Sequence, residues 1–176
     1  PYASYGDSAM RGAYRSIGIN RNDFCALIQM RPGKQADCGC LEWLAFASNA
    51  FNVLAPFYAD VEETPEYLAN TTGEVSTDNF YWTSRMIAAM ADASSSKSLI
   101  HVERCQEQVA AKSYELLNRY DALLEKEADA AARKALRQEA NRAVADMVKK
   151  ELSGTLDKVL YELSGQMKNA YSRSDA

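Results

Sequence analysis

The polar side chains best suited to a site flank two apolar segments. Arg15, Asn20, Arg21 and Asn22 precede the run Phe24-Cys-Ala-Leu-Ile-Gln-Met30. Asn49 and Asn52 follow the run Cys40-Leu-Glu-Trp-Leu-Ala-Phe46. Guanidinium and amide groups hold carboxylates and carbonyl oxygens well. If the two runs pair as a hairpin, the start of the first lies beside the end of the second. Arg21 or Asn22 then converges with Asn49 on one edge, which is a predicted site wall. Plain structural pairing of the same side chains is the equal alternative.

Nucleophiles are harder to find. A Ser-His-Asp arrangement is poorly supported, because the one histidine, His101, sits in a helical Leu-Ile-His-Val-Glu-Arg stretch with no glycine-flanked serine nearby. Cys25 and Cys40 lie in apolar runs without an adjacent histidine or helix start to lower their pKa, and read as inert thiols. Cys38 and Cys40 are too close for an ordinary disulfide and lack zinc half-site spacing; with Cys105 they complete a set of four cysteines. No metal or cofactor is expected, and the thiols suit a reducing compartment. Phosphate-loop and dinucleotide fingerprints are absent from the sequence. Glu62-Glu63 reads as a solvated acidic loop. Asn70-Thr-Thr72 matches a glycosylation sequon and reads as chance.

The elements that must position these groups fall into two regions. Residues 1–75 hold all four prolines and six of the eight glycines; beyond Gly73 no proline occurs. The first region carries the β-like runs. Arg15-Ser-Ile-Gly-Ile-Asn20 alternates and reads as a short strand. The two longer runs, separated by Arg31-Pro-Gly-Lys-Gln-Ala-Asp37, read as a β-hairpin. Both are apolar on both faces, so the hairpin is predicted to lie between two covering layers. Ser48 to Thr72 reads as irregular, since Pro56 and Pro65 disfavour a helix.

The second region, 76–176, reads as helical, with helices predicted at about 78–93, 97–125 and 130–170. Ser76-Thr-Asp-Asn79 is a helix-start signal. Apolar residues recur at helical intervals from Leu99 through Val102, Val109, Leu116, Leu117, Tyr120 and Leu124. They resume at Leu136, Ala140, Val144, Met147, Leu152, Leu156, Val159, Leu163 and Met167. The alanine-rich, charged stretch 125–133 is the predicted reversal between two antiparallel helices. Gly154 and Gly165 mark possible bends. The stripe can pack within the fold or serve self-association.

A chain of 176 residues with 47% hydrophobic and 25% charged residues has the composition of a folded protein with one core. A net charge of -4 with interleaved signs leaves no basic face for nucleic acid. No apolar run reaches membrane-span length. The start carries no secretion pattern, and a cytoplasmic location is the expectation, although a longer parent could have its own signal peptide.

Several motifs resemble one hydrolase family. Arg15-Ser-Ile-Gly-Ile-Asn-Arg-Asn22 is similar to the R-x-I-x-I-N-R stretch of the cysteine dipeptidases of the N-terminal-nucleophile superfamily. Trp43-Leu-Ala-Phe-Ala-Ser-Asn-Ala-Phe-Asn52 resembles their W-x-A-F-x-x-N-x-F-N segment, and Ala55-Pro-Phe-Tyr58 follows as their P-F-Y does. Thr72-Gly-Glu-Val-Ser-Thr-Asp-Asn-Phe-Tyr-Trp82 looks like their helix entry. Leu156-Asp-Lys-Val-Leu-Tyr-Glu162, Met167-Lys-Asn169 and Ser172-Arg-Ser-Asp175 resemble their C-terminus.

The resemblance implies an α+β fold, mostly α, in which the strands belong to a four-layer αββα sandwich and the tail is a long antiparallel helical hairpin. It implies hydrolysis of dipeptides by an N-terminal cysteine whose α-amino group is the base. Position 1 here is Pro, and none of the four cysteines matches the nucleophile motif. The chain is therefore expected to be a C-terminal portion whose nucleophile lies upstream, and to be inactive alone. Arg15, Asn20, Arg21 and Asn49 are the substrate-cleft candidates. Expected partners are a dipeptide, the N-terminal part of the same protein and, through exposed apolar surface, another copy. The competing reading is a non-enzymatic helical interaction or oligomerisation module. A bare sheet edge or face favours the first reading; a hairpin covered on both faces favours the second.

Overall fold

The computed structural model describes Ala9 and residues 22–167. Its architecture is mostly helical with a small antiparallel sheet. The strands are β1 (Phe24–Met30), β2 (Cys40–Phe46) and β3 (Ala55–Tyr58), in spatial order β1-β2-β3. A short helix α1 (Glu66–Ala69) follows, then α2 (Phe80–Ala93), α3 (Ser95–Leu124) and α4 (Ala130–Ser164).

β1 and β2 form the hairpin, in the register Phe24↔Phe46 to Met30↔Cys40. Gly33 takes a φ of +88° in the turn, a conformation strained for any residue with a Cβ. The Arg31 N–H donates to the Gly39 carbonyl at 2.7 Å and closes the loop. β3 lies inside the stretch predicted as irregular. Its Pro56 is tolerated because Ala59 N donates to Cys40 O (3.3 Å), which sets the pairing phase. In that phase Pro56 stands opposite Trp43 with its nitrogen turned away from β2.

The hairpin is not sandwiched as a unit. β2 buries Leu41, Trp43 and Ala45, and leaves the alternating Cys40, Glu42, Leu44 and Phe46 half-buried. Leu41 and Trp43 join Leu117, Tyr120, Leu124 and Ala140 of α3 and α4 on one side. Leu44 and Phe46 pack toward the cluster containing Phe57, Tyr67, Phe80, Ile87 and Val144 on the other. All seven residues of β1 are exposed. The prediction of two covering layers therefore holds for β2 and fails for β1, which neither core cluster includes. Apolar composition specified that β1 needs cover; the described residues do not supply it.

α2 starts at Asn79, whose side chain accepts a hydrogen bond from Trp82 N (2.8 Å). Phe80 meets Phe46 edge-on at 4.9 Å and stacks on Tyr67 at 5.9 Å, locking α2 to β2 and α1. Only Ser94 separates α2 from α3; its hydroxyl bonds Met90 O (2.9 Å) and pairs with Ser98. α3 and α4 form the long antiparallel hairpin. Val102, Cys105, Val109, Leu117, Tyr120 and Leu124 face Ala140, Val144, Val148, Leu152 and Val159 at helical spacing. Leu99 and Met167, counted in the apolar stripe, are instead exposed. α4 runs through Gly154 without interruption. Among the described residues no helix is long and apolar enough to cross a membrane.

Candidate functional site

The start of β1 and the end of β2 do meet. Ala47 N donates to Asp23 O at 2.9 Å, which brings Asn22 and Asn49 to the same end of the hairpin. Asn49 is exposed in the turn after β2, and Asn22 is half-buried. Arg15, Asn20 and Arg21 lie outside the described residues.

This corner has specific local geometry. Ala47 is buried and carries a φ of 67°, a left-handed conformation unusual for a residue with a side chain. It turns the chain out of β2, and Asn52 Nδ2 holds its carbonyl at 3.2 Å. Gln106 Nε2 of α3 donates to the carbonyls of Asn52 (2.9 Å) and Ala50 (3.3 Å), tying the loop to the helical hairpin. Arg85 of α2 pairs with the Asp23 carboxylate. Beside it lies a hollow of about 180 Å³ lined by Ser48, Phe51, Arg85, Ala88, Ala89 and Asp92. A guanidinium, two carboxylates and the amides of Asn22 and Asn49 thus gather around one strand end. Such a set can orient a small polar molecule; it contains no nucleophile with an adjacent base.

Asp23, Arg85 and Gln106 were missed in the sequence reading. Asp23 follows Asn22 directly, so the same strand-end argument reaches it. Arg85 and Gln106 sit on helices with no local signal of a tertiary role.

The opposite end of the hairpin carries a denser polar cluster. Asp37 accepts from Arg133 through Nε (2.8 Å) and Nη2 (2.7 Å), and also pairs with Arg137. Arg31 Nη1 meets Asp121 at 2.7 Å, Tyr58 Oη donates to the same carboxylate at 2.7 Å, and Lys34 reaches Glu125 at 2.5 Å. Hydrogen bonding from Arg133, aided by the charge of Arg137, holds the Asp37 carboxyl below its ordinary range. Burial, with Asp121 beside it, pushes the Tyr58 phenol above its usual range. Because its charges pair with one another, this cluster fastens the β1–β2 turn to the α3–α4 reversal, and we assign it to structure.

A larger concavity, about 770 Å³, lies between α1 and α4 and is lined by Glu63, Glu66, Tyr67, Asp78, Arg142 and Lys149 among others. Its cations are already paired: Arg142 with Glu63 at 2.8 Å and Lys149 with Asp78 at 3.1 Å. Burial pushes the Tyr67 phenol up to about 12. His101 stands 3.5 Å from Glu162 at the other end of the helical hairpin. Cys25 is exposed, Cys40 half-buried, and Cys38 and Cys105 are buried. Among the described residues no cluster of three or more His, Cys, Asp or Glu side chains is arranged to hold a metal ion.

The family model described as Peptidase family C69 matches residues 1–108. The chain is 36% identical over 175 residues to a probable dipeptidase A of Streptococcus pyogenes serotype M3, covering 99% of this chain and 37% of the relative. A dipeptidase of Bifidobacterium longum is 34% identical over an alignment 212 residues long, covering 99% of this chain and 40% of the relative. A probable dipeptidase B of Lactococcus lactis is 29% identical, again over 99% of this chain and 36% of its own length. The chain thus spans well under half the length of these relatives.

Proposed function

Since the chain belongs to peptidase family C69, we propose that it is the C-terminal portion of an enzyme that hydrolyses dipeptides. The observation that carries this reading is the match over 99% of the chain to relatives named dipeptidases. In the proposed mechanism, a cysteine at the N-terminus of the longer polypeptide attacks the peptide carbonyl. Its α-amino group takes the thiol proton, and water then releases the acyl group. Backbone or side-chain donors stabilise the oxyanion. The role of the present chain is to build the cleft. Arg15, Asn20, Arg21 and Asn49 are its proposed substrate-holding residues, with Asp23 and Arg85 fixing the corner they share. The proposed setting is an αββα sandwich to which residues 1–75 contribute strands and residues 76–176 an outer helical layer.

The bare β1 supports this reading over a self-contained interaction module. Exposed Leu160, Tyr161 and Met167 near the end of α4 are what the module reading has in its favour. A dipeptide hydrolysis assay separates the two. The 176-residue chain alone is expected to release no amino acids, while the longer polypeptide expressed from its own gene cleaves dipeptides. Silence of a well-folded longer polypeptide across a dipeptide panel refutes the enzyme reading.

A further inference from the structure

The two edges of the sheet can be read bond by bond. In an antiparallel pair, residues alternate between those bonded to the neighbouring strand and those whose N–H and C=O point the other way. Arg31 N donates to Gly39 O and Ala47 N to Asp23 O, both at odd positions of the first strand's register. Cys25, Leu27 and Gln29 are therefore the residues bonded to β2. Phe24, Ala26, Ile28 and Met30 turn their N–H and C=O groups outward.

Side chains tell the same story. Phe24, Ile28 and Met30 are 56%, 69% and 70% exposed and share one face, while Leu27 is 51% exposed on the other. A solvent-facing edge strand ordinarily carries charges, a bulge or proline against unwanted pairing. β1 has none of these: its sequence is Phe-Cys-Ala-Leu-Ile-Gln-Met. A strand apolar on both faces and open along its edge matches an interior strand of a larger sheet.

We propose that β1 is the docking edge for a β-strand from the part of the same polypeptide outside this chain. That strand pairs through the outward groups of Phe24, Ala26, Ile28 and Met30, and carries apolar side chains on both faces. This rests on the reading that the chain is a portion of a longer dipeptidase. The occupant is chosen on length: the matched region is 37% of one relative and 40% of another, leaving more than half of each polypeptide to supply it. Two other occupants compete: residues 15–20 of this chain, predicted as a strand and outside the described residues, and a second copy of this chain.

The test is residue-resolved amide hydrogen exchange on the longer polypeptide, with mass measurement by light scattering and a dipeptidase assay on the same preparation. Inward amides at Cys25, Leu27 and Gln29 serve as the internal reference. The proposal expects the outward amides of Ala26 and Ile28 to be as protected as the reference, at every protein concentration and in the monomer. Outward amides exchanging at least about 100-fold faster than the reference overturn it. Protection that appears only in a dimer and vanishes on dilution also overturns it, assigning the edge to a second copy. Equal protection of Ala26 and Ile28 in the monomeric 176-residue chain overturns it as well, assigning the edge to the chain's own residues 15–20. Activity with unprotected outward amides leaves the proposed function standing and the docking wrong. Protection without activity does the reverse.

Discussion

The sheet has two outer edges, and they are finished differently. At β3, Tyr58 N donates to Asn141 Oδ1 at 2.8 Å and Asn141 Nδ2 donates to Tyr58 O at 3.0 Å. A single side-chain amide on α4 supplies the donor and acceptor that a neighbouring strand would have offered. Pro56, the other outward residue there, has no N–H to satisfy. At β1, four residues present both groups outward, and among the described residues no helix covers the side chains. The contrast teaches that this chain's own helices complete one side of the sheet and leave the other to something else. Buried backbone groups must be paired, so the closed edge is costly to disturb and the open edge is not.

The sharpest way to break the comparison is at Asn141. Asn141→Leu leaves the Tyr58 N–H and C=O buried and unpaired, and is expected to cost about 2–5 kcal/mol by urea denaturation. A loss below about 0.5 kcal/mol would mean that the amide bridge does not close the edge. Next comes the cluster that anchors the hairpin turn. Asp37→Asn removes the partner of two buried arginines and is expected to cost about 2 kcal/mol, moderated because the Asp37 side chain keeps 26% exposure. The folded-state pKa of Asp37 is lowered, so its contribution is complete above the unfolded value and lost as pH falls through the lowered one. The stability gap between the parent chain and Asp37→Asn should be constant above about pH 5 and close below the ordinary value of 3.8. A gap unchanged in acid would show that the carboxylate charge is not what matters. The smallest effect belongs to the open edge: Leu27→Ala in the 176-residue chain should change stability by less than about 0.5 kcal/mol, since little is buried there. The same substitution in the longer polypeptide should cost several times more, and equal effects in the two would argue that β1 stays bare in both.

Much of the helical half was legible because amphipathic helices advertise themselves. Val102, Val109, Leu117, Tyr120 and Leu124 repeat at helical spacing and are buried. Asn79 has the side-chain oxygen that the free N–H groups of a helix start need, and it is used so. β3 was hidden because Pro56 reads as a strand breaker unless its hydrogen-bonding phase is known, and that phase depends on β2. Arg133 ends the charged, alanine-rich stretch read as the helix reversal and Arg137 lies one turn beyond it, yet both are buried. Their partner, Asp37, lies 96 and 100 positions away. Asn141 carried no local signal for the same reason: its role is defined by a strand 83 positions earlier. At the candidate corner, strand pairing was enough to anticipate that Asn22 and Asn49 lie at the same end of the hairpin, but Arg85 reaches Asp23 from a helix whose docking only the fold defines.

The amide plug at Tyr58 gives the sheet a direction. With β3 terminated by a side chain that mimics a peptide group, the edge left open to a further strand is that of β1. On the proposed reading, a sheet extended from this chain has β3 as its outermost strand, and the hairpin turn cluster at a fixed distance from that boundary. One asparagine acts here as an end-stop, deciding which way the architecture extends.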